Sequence, residues 1–268
     1  FFMKRILGIG NALVDIMTLL QGEYILQEFN LPKGSMQLVD REKSEGIKAA
    51  TEIFPRTWTS GGSAANTIHG LAMLGADTGF IGSIGRDDIG DFFENEMKKA
   101  GTNTLLIRRN SPTGTAIALI TEDSERTFAT HLGAAIELDA EDLKPLLFEG
   151  YDILYLEGYI INNFPLVETA CSIAHSKNML VALDLASYNV VEEHKDSFLR
   201  IVSEYVDILF ANEQEAKAFT GLDATQALQA LSAISSTVIL KIGAEGSWLK
   251  TVDETVKISA YTVKCVDT

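Results

Sequence analysis

From Asp139 onward the chain alternates short apolar runs with stretches of helical period. Ile153–Leu156, 179–184, Asp207–Phe210 and 237–242 read as strands, and 139–148, 165–177, 191–204, 212–219 and 224–234 as helices. Apolar strands between helices of about 10–15 residues indicate βαβ units and a mostly parallel sheet covered on both faces. The first third follows a similar rhythm. Arg5–Gly10 is a buried strand, Asp40–Thr51 a helix, Ala64–Leu74 a helix with Ser63 as its N-cap, and Thr78–Ile84 a strand. Gly85–Gly90 turns the chain into a helix over Asp91–Ala100, closed by Gly101. Then the texture changes. Thr104–Arg109, Thr115–Thr121 and Glu125–His131 are strand-like runs broken by Pro112-Thr113-Gly114 and Glu122-Asp123-Ser124, with no helix between them. They predict a small sheet, joined by parts of 11–40, projecting from the main one. Residues 16–40 are less regular, with a turn at Leu31–Gly34, and the closing runs Ser247–Lys250 and Val256–Tyr261 read as antiparallel edge strands. The predicted fold class is a three-layer α/β/α domain over 1–268 with a mostly parallel central sheet and a small β-sheet lid.

Composition narrows the function classes. The 268 residues are 46% apolar, enough for a substantial core, and no run approaches the ~20 apolar residues of a membrane helix. A net charge of −15 argues against nucleic acid as a partner, because phosphate backbones reward basic patches. A single nucleotide is not excluded, since backbone amides and Mg²⁺ can hold one locally. Cys171 and Cys265 lie far apart and fit reduced core residues, and the four histidines show no metal-ligand spacing. Phe1-Phe2 precede Met3, the expected native start, and no signal-peptide pattern is visible, so the expected compartment is cytoplasmic.

The chemistry-bearing residues sit at predicted element ends. Gly61-Gly62-Ser63 opens a helix whose first turn offers Asn66, a site for an uncharged hydroxyl-rich molecule or an ordinary Gly/Ser lead-in. Gly8-x-Gly10 lacks the third glycine of a dinucleotide fingerprint, which would fall at Leu13. Asn11 and Asp15 follow the first strand, where α/β sheets bind ligands, although an Asp there also caps turns. Arg126 in the lid suits either a phosphate or hydroxyls, or a solvated hairpin. Asn212-Glu-Gln-Glu215 opens a helix next to bound anions, or simply places acids at a helix N-terminus. Lys241-Ile-Gly243-Ala-Glu-Gly246 admits a nucleotide or makes a plain hairpin.

The order of these motifs resembles the ribokinase-like (PfkB-type) carbohydrate and nucleoside kinases, over essentially Met3 to Thr268. Gly10–Asp15, Leu31–Asp40, Glu125–Phe128 and Leu156–Tyr159 look most like bacterial adenosine kinases. The resemblance implies ATP-dependent transfer of a phosphoryl group to the 5′-hydroxyl of adenosine. The alternatives are a kinase of a furanose such as ribose or fructose, and a non-catalytic nucleoside- or sugar-binding fragment. It implies that Asp15 accepts hydrogen bonds from sugar hydroxyls, with Asn11, Gly61, Gly62, Ser63 and Asn66 completing the ribose contacts. Ile117 and Leu132 would cover the base, with Arg126 in the lid. Asn212 and Glu215 would organise Mg²⁺ through water, and Asp184, Lys241, Gly243, Gly246, Asp267 and Thr268 would lie where the nucleotide is held. ATP and Mg²⁺ are the implied cofactors, with a monovalent cation as a further candidate. A monomer and a lid-mediated homodimer are both compatible with the exposed strand edges. The family places Gly-Ala-Gly-Asp shortly after the Asp-Thr that here is Asp267-Thr268, so the catalytic base is expected just beyond the sequence.

Overall fold

The structure, a computed structural model, describes residues 4–262. They fall in two compact units divided between Asp142 and Leu143.

The first unit contains, in chain order, β1 (Ile6–Ile9), β2 (Leu13–Leu19), α1 (Tyr24–Glu28), β3 (Met36–Leu38), α2 (Arg41–Ala50), β4 (Arg56–Gly61) and α3 (Ser63–Met73). Then come β5 (Thr78–Gly85), α4 (Asp88–Lys99), β6 (Asn103–Arg109), β7 (Gly114–Ile120) and β8 (Arg126–His131). β1, β5 and β6 run parallel side by side, over a core that includes Leu7, Ile9, Phe80, Ile81, Phe93 and Met97. The other five strands make a second sheet in the order β3-β8-β7-β2-β4.

Several expectations are corrected here. The run over 104–109 joins the parallel set: all seven residues of β6 are in register with β5, and none with β7. Residues 13–19 form a regular strand, because Leu-Val-Asp-Ile-Met-Thr-Leu alternates between two faces. Residues 56–61, which precede the Gly61-Gly62-Ser63 helix opening and carry no predicted element, are a strand rich in β-branched and aromatic residues. Ser63 is the first helical residue and not the cap. Gly62 occupies the cap with φ 99° and no side-chain hydrogen bond. A Cβ there would lie 2.1 Å from the Asn11 carbonyl oxygen, which leaves glycine as the only fit. The predicted helix 40–51 is present as α2, with Asp40 accepting from the Lys43 N–H as N-cap.

The second unit is the predicted alternation: β9 (Ile153–Glu157), α5 (Phe164–Ser176), β10 (Leu180–Asp184), α6 (Tyr188–Glu193), α7 (Lys195–Tyr205), β11 (Ile208–Asn212), α8 (Glu213–Thr220), α9 (Ala224–Leu231) and β12 (Thr237–Lys241). β9, β10, β11 and β12 are parallel neighbours. β13 (Ser247–Lys250) and β14 (Thr255–Ile258) then add antiparallel at the β12 side, as the sequence predicts. Two helices differ from expectation. The span 139–148 holds only short 3₁₀ turns, Ala140–Asp142 and Pro145–Phe148, because Pro145 has no N–H to continue an α-helix. The span 191–204 breaks at His194, whose φ −117° and ψ 29° end α6 and begin α7.

Candidate functional site

In the first unit, β2 and β4 pair antiparallel so that Leu13 faces Gly61 and Asp15 faces Thr59. That register brings the Asn11–Asp15 and Gly61-Gly62 motifs together, fifty residues apart as they are. A Cβ on Gly61 would lie 2.3 Å from Asp15 Oδ1, so the carboxylate rests on bare backbone. Asn11 is buried, Asp15 and Ser63 are half-buried, and Asn66 stands exposed on the first turn of α3. Burial pushes the Asp15 carboxyl above its ordinary value.

Strand alternation divides the small sheet into two faces. Val14, Ile16, Thr115, Ile117, Leu119, Thr127 and Ala129 lie on the inner face, all buried. Ile117 is therefore not a cover for a ligand: it pairs with Ile16 in register and is 0% exposed. The other face carries Asp15, Met17, Ala116, Ala118, Phe128 and Thr130, extended onto β3 by Met36 and Leu38. Met36 and Leu38 are 56% and 66% exposed, although both are apolar. Leu132 is half-buried and lines a cavity of about 380 Å³ with Leu38, Pro112, Thr130 and Ile136. Arg126 shares the open face but pairs with Ile120, four residues along β8 from Thr130, hence about 13 Å from the level of Asp15.

In the second unit the parallel strands end in polar residues in register: Glu157 beside Asp184, and Asn212 beside Lys241. In α/β sheets the carboxyl ends of parallel strands are where ligands bind. Asn212 Oδ1 accepts from the Glu215 N–H at 2.9 Å, while the Glu215 carboxylate accepts from the Asn212 N–H and from Asn212 Nδ2, each at 2.7 Å. This reciprocal capping box opens α8. Burial pushes the Glu215 carboxyl up; the Asn212 hydrogen bond and the Lys241 charge pull it down, and Asp184 pushes it further up. Lys241 Nζ pairs with Asp184 Oδ2 at 3.0 Å. Gly243 has φ 57° in a turn, with open space where a side chain would be. A Cβ on Gly246 would lie 1.9 Å from the Ile258 carbonyl oxygen, so hairpin packing accounts for that glycine.

Glu157 and Tyr159, which the sequence shows only as part of the Leu156–Tyr159 motif and without a role, also stand here. Glu157 is 1% exposed at the end of an apolar strand, at the same level as Asp184 one strand over. The Tyr159 hydroxyl, hydrogen-bonded to Ser187, is pushed up by burial and by the charges of Glu157, Glu215 and Asp184. Asp267 and Thr268 lie outside the described residues.

Among the described residues no three His, Cys, Asp or Glu side chains gather to hold a metal ion. Both Glu215 oxygens already accept from Asn212. The donor set therefore does not form a protein cage. A divalent ion here would draw its other ligands from phosphates and waters. Also among the described residues, no helix is long and apolar enough to cross a membrane.

The chain is 29% identical to adenosine kinase of Saccharomyces cerevisiae, across 97% of its own length and 81% of the relative's. It is 26% identical to guanosine-inosine kinase of Escherichia coli (strain K12), across 81% of its length, which spans 52% of that relative. It is 27% identical to ribokinase of Staphylococcus aureus, across 78% of its length and 69% of the relative's. Among solved structures, adenosine kinase from Sinorhizobium meliloti superposes with a TM-score of 0.86 at 30% identity, covering 99% of this chain and 82% of that one. A probable sugar kinase protein from Rhizobium etli CFN 42 also gives 0.86, at 27% identity, covering 98% and 81%. The fold is thus the mixed α/β one of those kinases, a large mostly parallel sheet with a second small sheet. The profile of the pfkB family carbohydrate kinases matches residues 38–268, and the chain belongs to that family.

Proposed function

We propose that the protein transfers a phosphoryl group from ATP to the 5′-hydroxyl of a nucleoside, with adenosine as the preferred acceptor. The observation that carries this reading is the open face of the small sheet. The Asp15 carboxyl stands beside the bare backbone of Gly61, and the apolar side chains of Leu38, Phe128 and Leu132 occupy the same face. A carboxylate with unfilled acceptor capacity suits ribose hydroxyls, and a broad apolar surface suits a flat base. Asn11, Gly62, Ser63 and Asn66 complete the ribose contacts.

The second unit supplies the donor side. Lys241 offers positive charge to the polyphosphate, Asn212 holds Glu215 in place for the water shell of Mg²⁺, and Gly243 leaves room for the nucleotide. Bound Mg²⁺ would neutralise charge on the phosphates. In the step itself the acceptor oxygen bonds to the γ-phosphorus, the bond to the β-phosphate oxygen breaks, and ADP leaves. The hydroxyl proton passes to a general base.

A furanose kinase is the second reading, supported by the similarity to ribokinase. A bare sugar has no use for the apolar face, whereas a base does. ADP release by the full-length protein over a panel of nucleosides and sugars tests the choice. Turnover with adenosine is expected, with little or none on ribose or fructose. Turnover with a sugar and none with any nucleoside overturns the proposal.

A further inference from the structure

The carboxyl edge of the second unit's sheet contains a backbone outlier. Ala186 has φ 68°, a left-handed conformation that a residue with a Cβ adopts at a cost. Such outliers persist where neighbours over-determine them. The neighbours here are specific. The Ala186 N–H donates to Asp184 Oδ1 at 2.9 Å, and Ser187 is hydrogen-bonded to the Tyr159 hydroxyl. Beneath the loop, Gly158 lies so close that a Cβ would come within 2.7 Å of the Leu185 carbonyl oxygen. With Oδ1 fixed in this way, Oδ2 is presented to Lys241.

The reach of that pair is informative. β11 lies between β10 and β12, so the Lys241 and Asp184 side chains reach toward each other and together bridge two strand spacings, about 10 Å, to meet at 3.0 Å. The pair therefore lies across the end of β11, over the Asn212–Glu215 capping box. Lys241 is half-exposed, while the Asp184 side chain is mostly covered. Asp184 and Glu215 place carboxylates at this edge, which repel a polyphosphate wherever the lysine is not held between them.

We propose that Asp184 is a positioning residue for phosphoryl transfer. Through the strained Asp184–Ser187 loop it holds the Lys241 ammonium over the Asn212–Glu215 box, as the counter-cation for the donor's phosphates. This rests on the kinase reading above. It goes beyond membership of a nucleotide site, because Asp184 acts through Lys241 and by itself opposes the donor. Two opposite effects of one side chain follow.

The test is a double-mutant cycle on the full-length protein, read as the KM for ATP and as calorimetric affinity for ATP, with the thermal midpoint confirming folding. D184N in the otherwise native chain is expected to weaken ATP binding about three- to tenfold, since the lysine loses its station. K241M is expected to weaken it more. In the K241M background, D184N is expected to strengthen ATP binding, because only the repulsion of an unpaired carboxylate remains to be removed. The inversion of sign is the signature. Weakening in both backgrounds means that Asp184 only supports the fold and overturns the proposal. Strengthening in both means that it merely competes with the phosphates, which overturns it equally. The kinase reading fails separately, and takes this proposal with it, if the unmutated protein binds no ATP and turns over no acceptor. A third variant keeps the loop in view. Ala186→Gly keeps the N–H that holds Asp184 Oδ1 and takes the left-handed conformation without cost, so ATP binding is expected to stay at the parent level; a loss as large as that of D184N would overturn the proposal.

Discussion

Asp15 and Asp87 are both half-buried aspartates of the first unit, and their surroundings push them in opposite directions. Asp87 accepts from the Gly90 N–H at 2.8 Å, the Thr113 N–H at 2.8 Å and the Thr113 hydroxyl at 2.5 Å. Burial works against its charge, but these hydrogen bonds and the Lys48 charge outweigh it and hold the carboxyl below the ordinary range. Asp15 has no such compensation: burial alone acts on it, and its carboxyl is raised. A carboxylate that the fold has already satisfied is structural, here clamping the turn before α4 to the start of β7. One that the fold desolvates without satisfying is available to a ligand.

The comparison is broken most directly by removing each charge. Asp15→Asn is expected to lower kcat/KM for adenosine by about 10², the upper end of the scale of a lost charged hydrogen bond to a hydroxylated ligand. The thermal midpoint at pH 7 should be unchanged or higher, because a desolvated charge is gone. A normal kcat/KM would remove Asp15 from the acceptor site. Gly61→Ala is expected to cost about 10–10² in kcat/KM, since the new methyl would meet the Asp15 carboxylate; activity equal to the parent would show that the close approach is unimportant. Asp87→Ala should behave the other way. It is expected to destabilise the fold by about 2–4 kcal/mol in urea unfolding, through the lost helix cap and the unpaired Thr113 N–H, with the adenosine KM of the folded fraction little changed. A loss below about 0.5 kcal/mol would contradict the clamp.

The smallest effect is in pH. The folded Asp87 carboxyl titrates below its unfolded value, so its stabilisation is present above the unfolded value and is lost as pH falls through the folded one. Asp15 is raised, so its unfavourable contribution is absent in acid and develops as pH rises through its folded value. The stability difference between Asp15→Asn and the parent should therefore shrink toward zero below pH 4, measured by chemical unfolding at several pH values. A difference that grows in acid would reverse the assignment.

Much of the second unit was legible in the sequence because its strands are continuous apolar runs ended by single polar residues, a pattern with one periodicity to read. Asp184, Asn212 and Lys241 fall at strand ends for that reason. The small sheet was less legible. Leu13–Leu19 alternates but follows a buried strand so closely that the two merge, and Thr57-Trp58-Thr59 is masked by the glycines after it. Which face of that sheet each residue occupies depends on register, which sequence does not display. A one-residue slip would exchange Ile117 for Ala116. Glu157 stood in the Leu156–Tyr159 run without a role of its own, since a carboxylate at the end of an apolar strand says little until the neighbouring strand shows Asp184 at the same level.

The central claim is that Asp15 is a desolvated acceptor awaiting hydroxyl donors. It is tested most directly by a ¹³C NMR titration of the Asp15 carboxyl with and without adenosine. The account predicts titration above the ordinary 3.8 in the free protein, and a shift to lower pH when adenosine binds, because donated hydrogen bonds favour the ionised form. An ordinary value that adenosine leaves unchanged would contradict it.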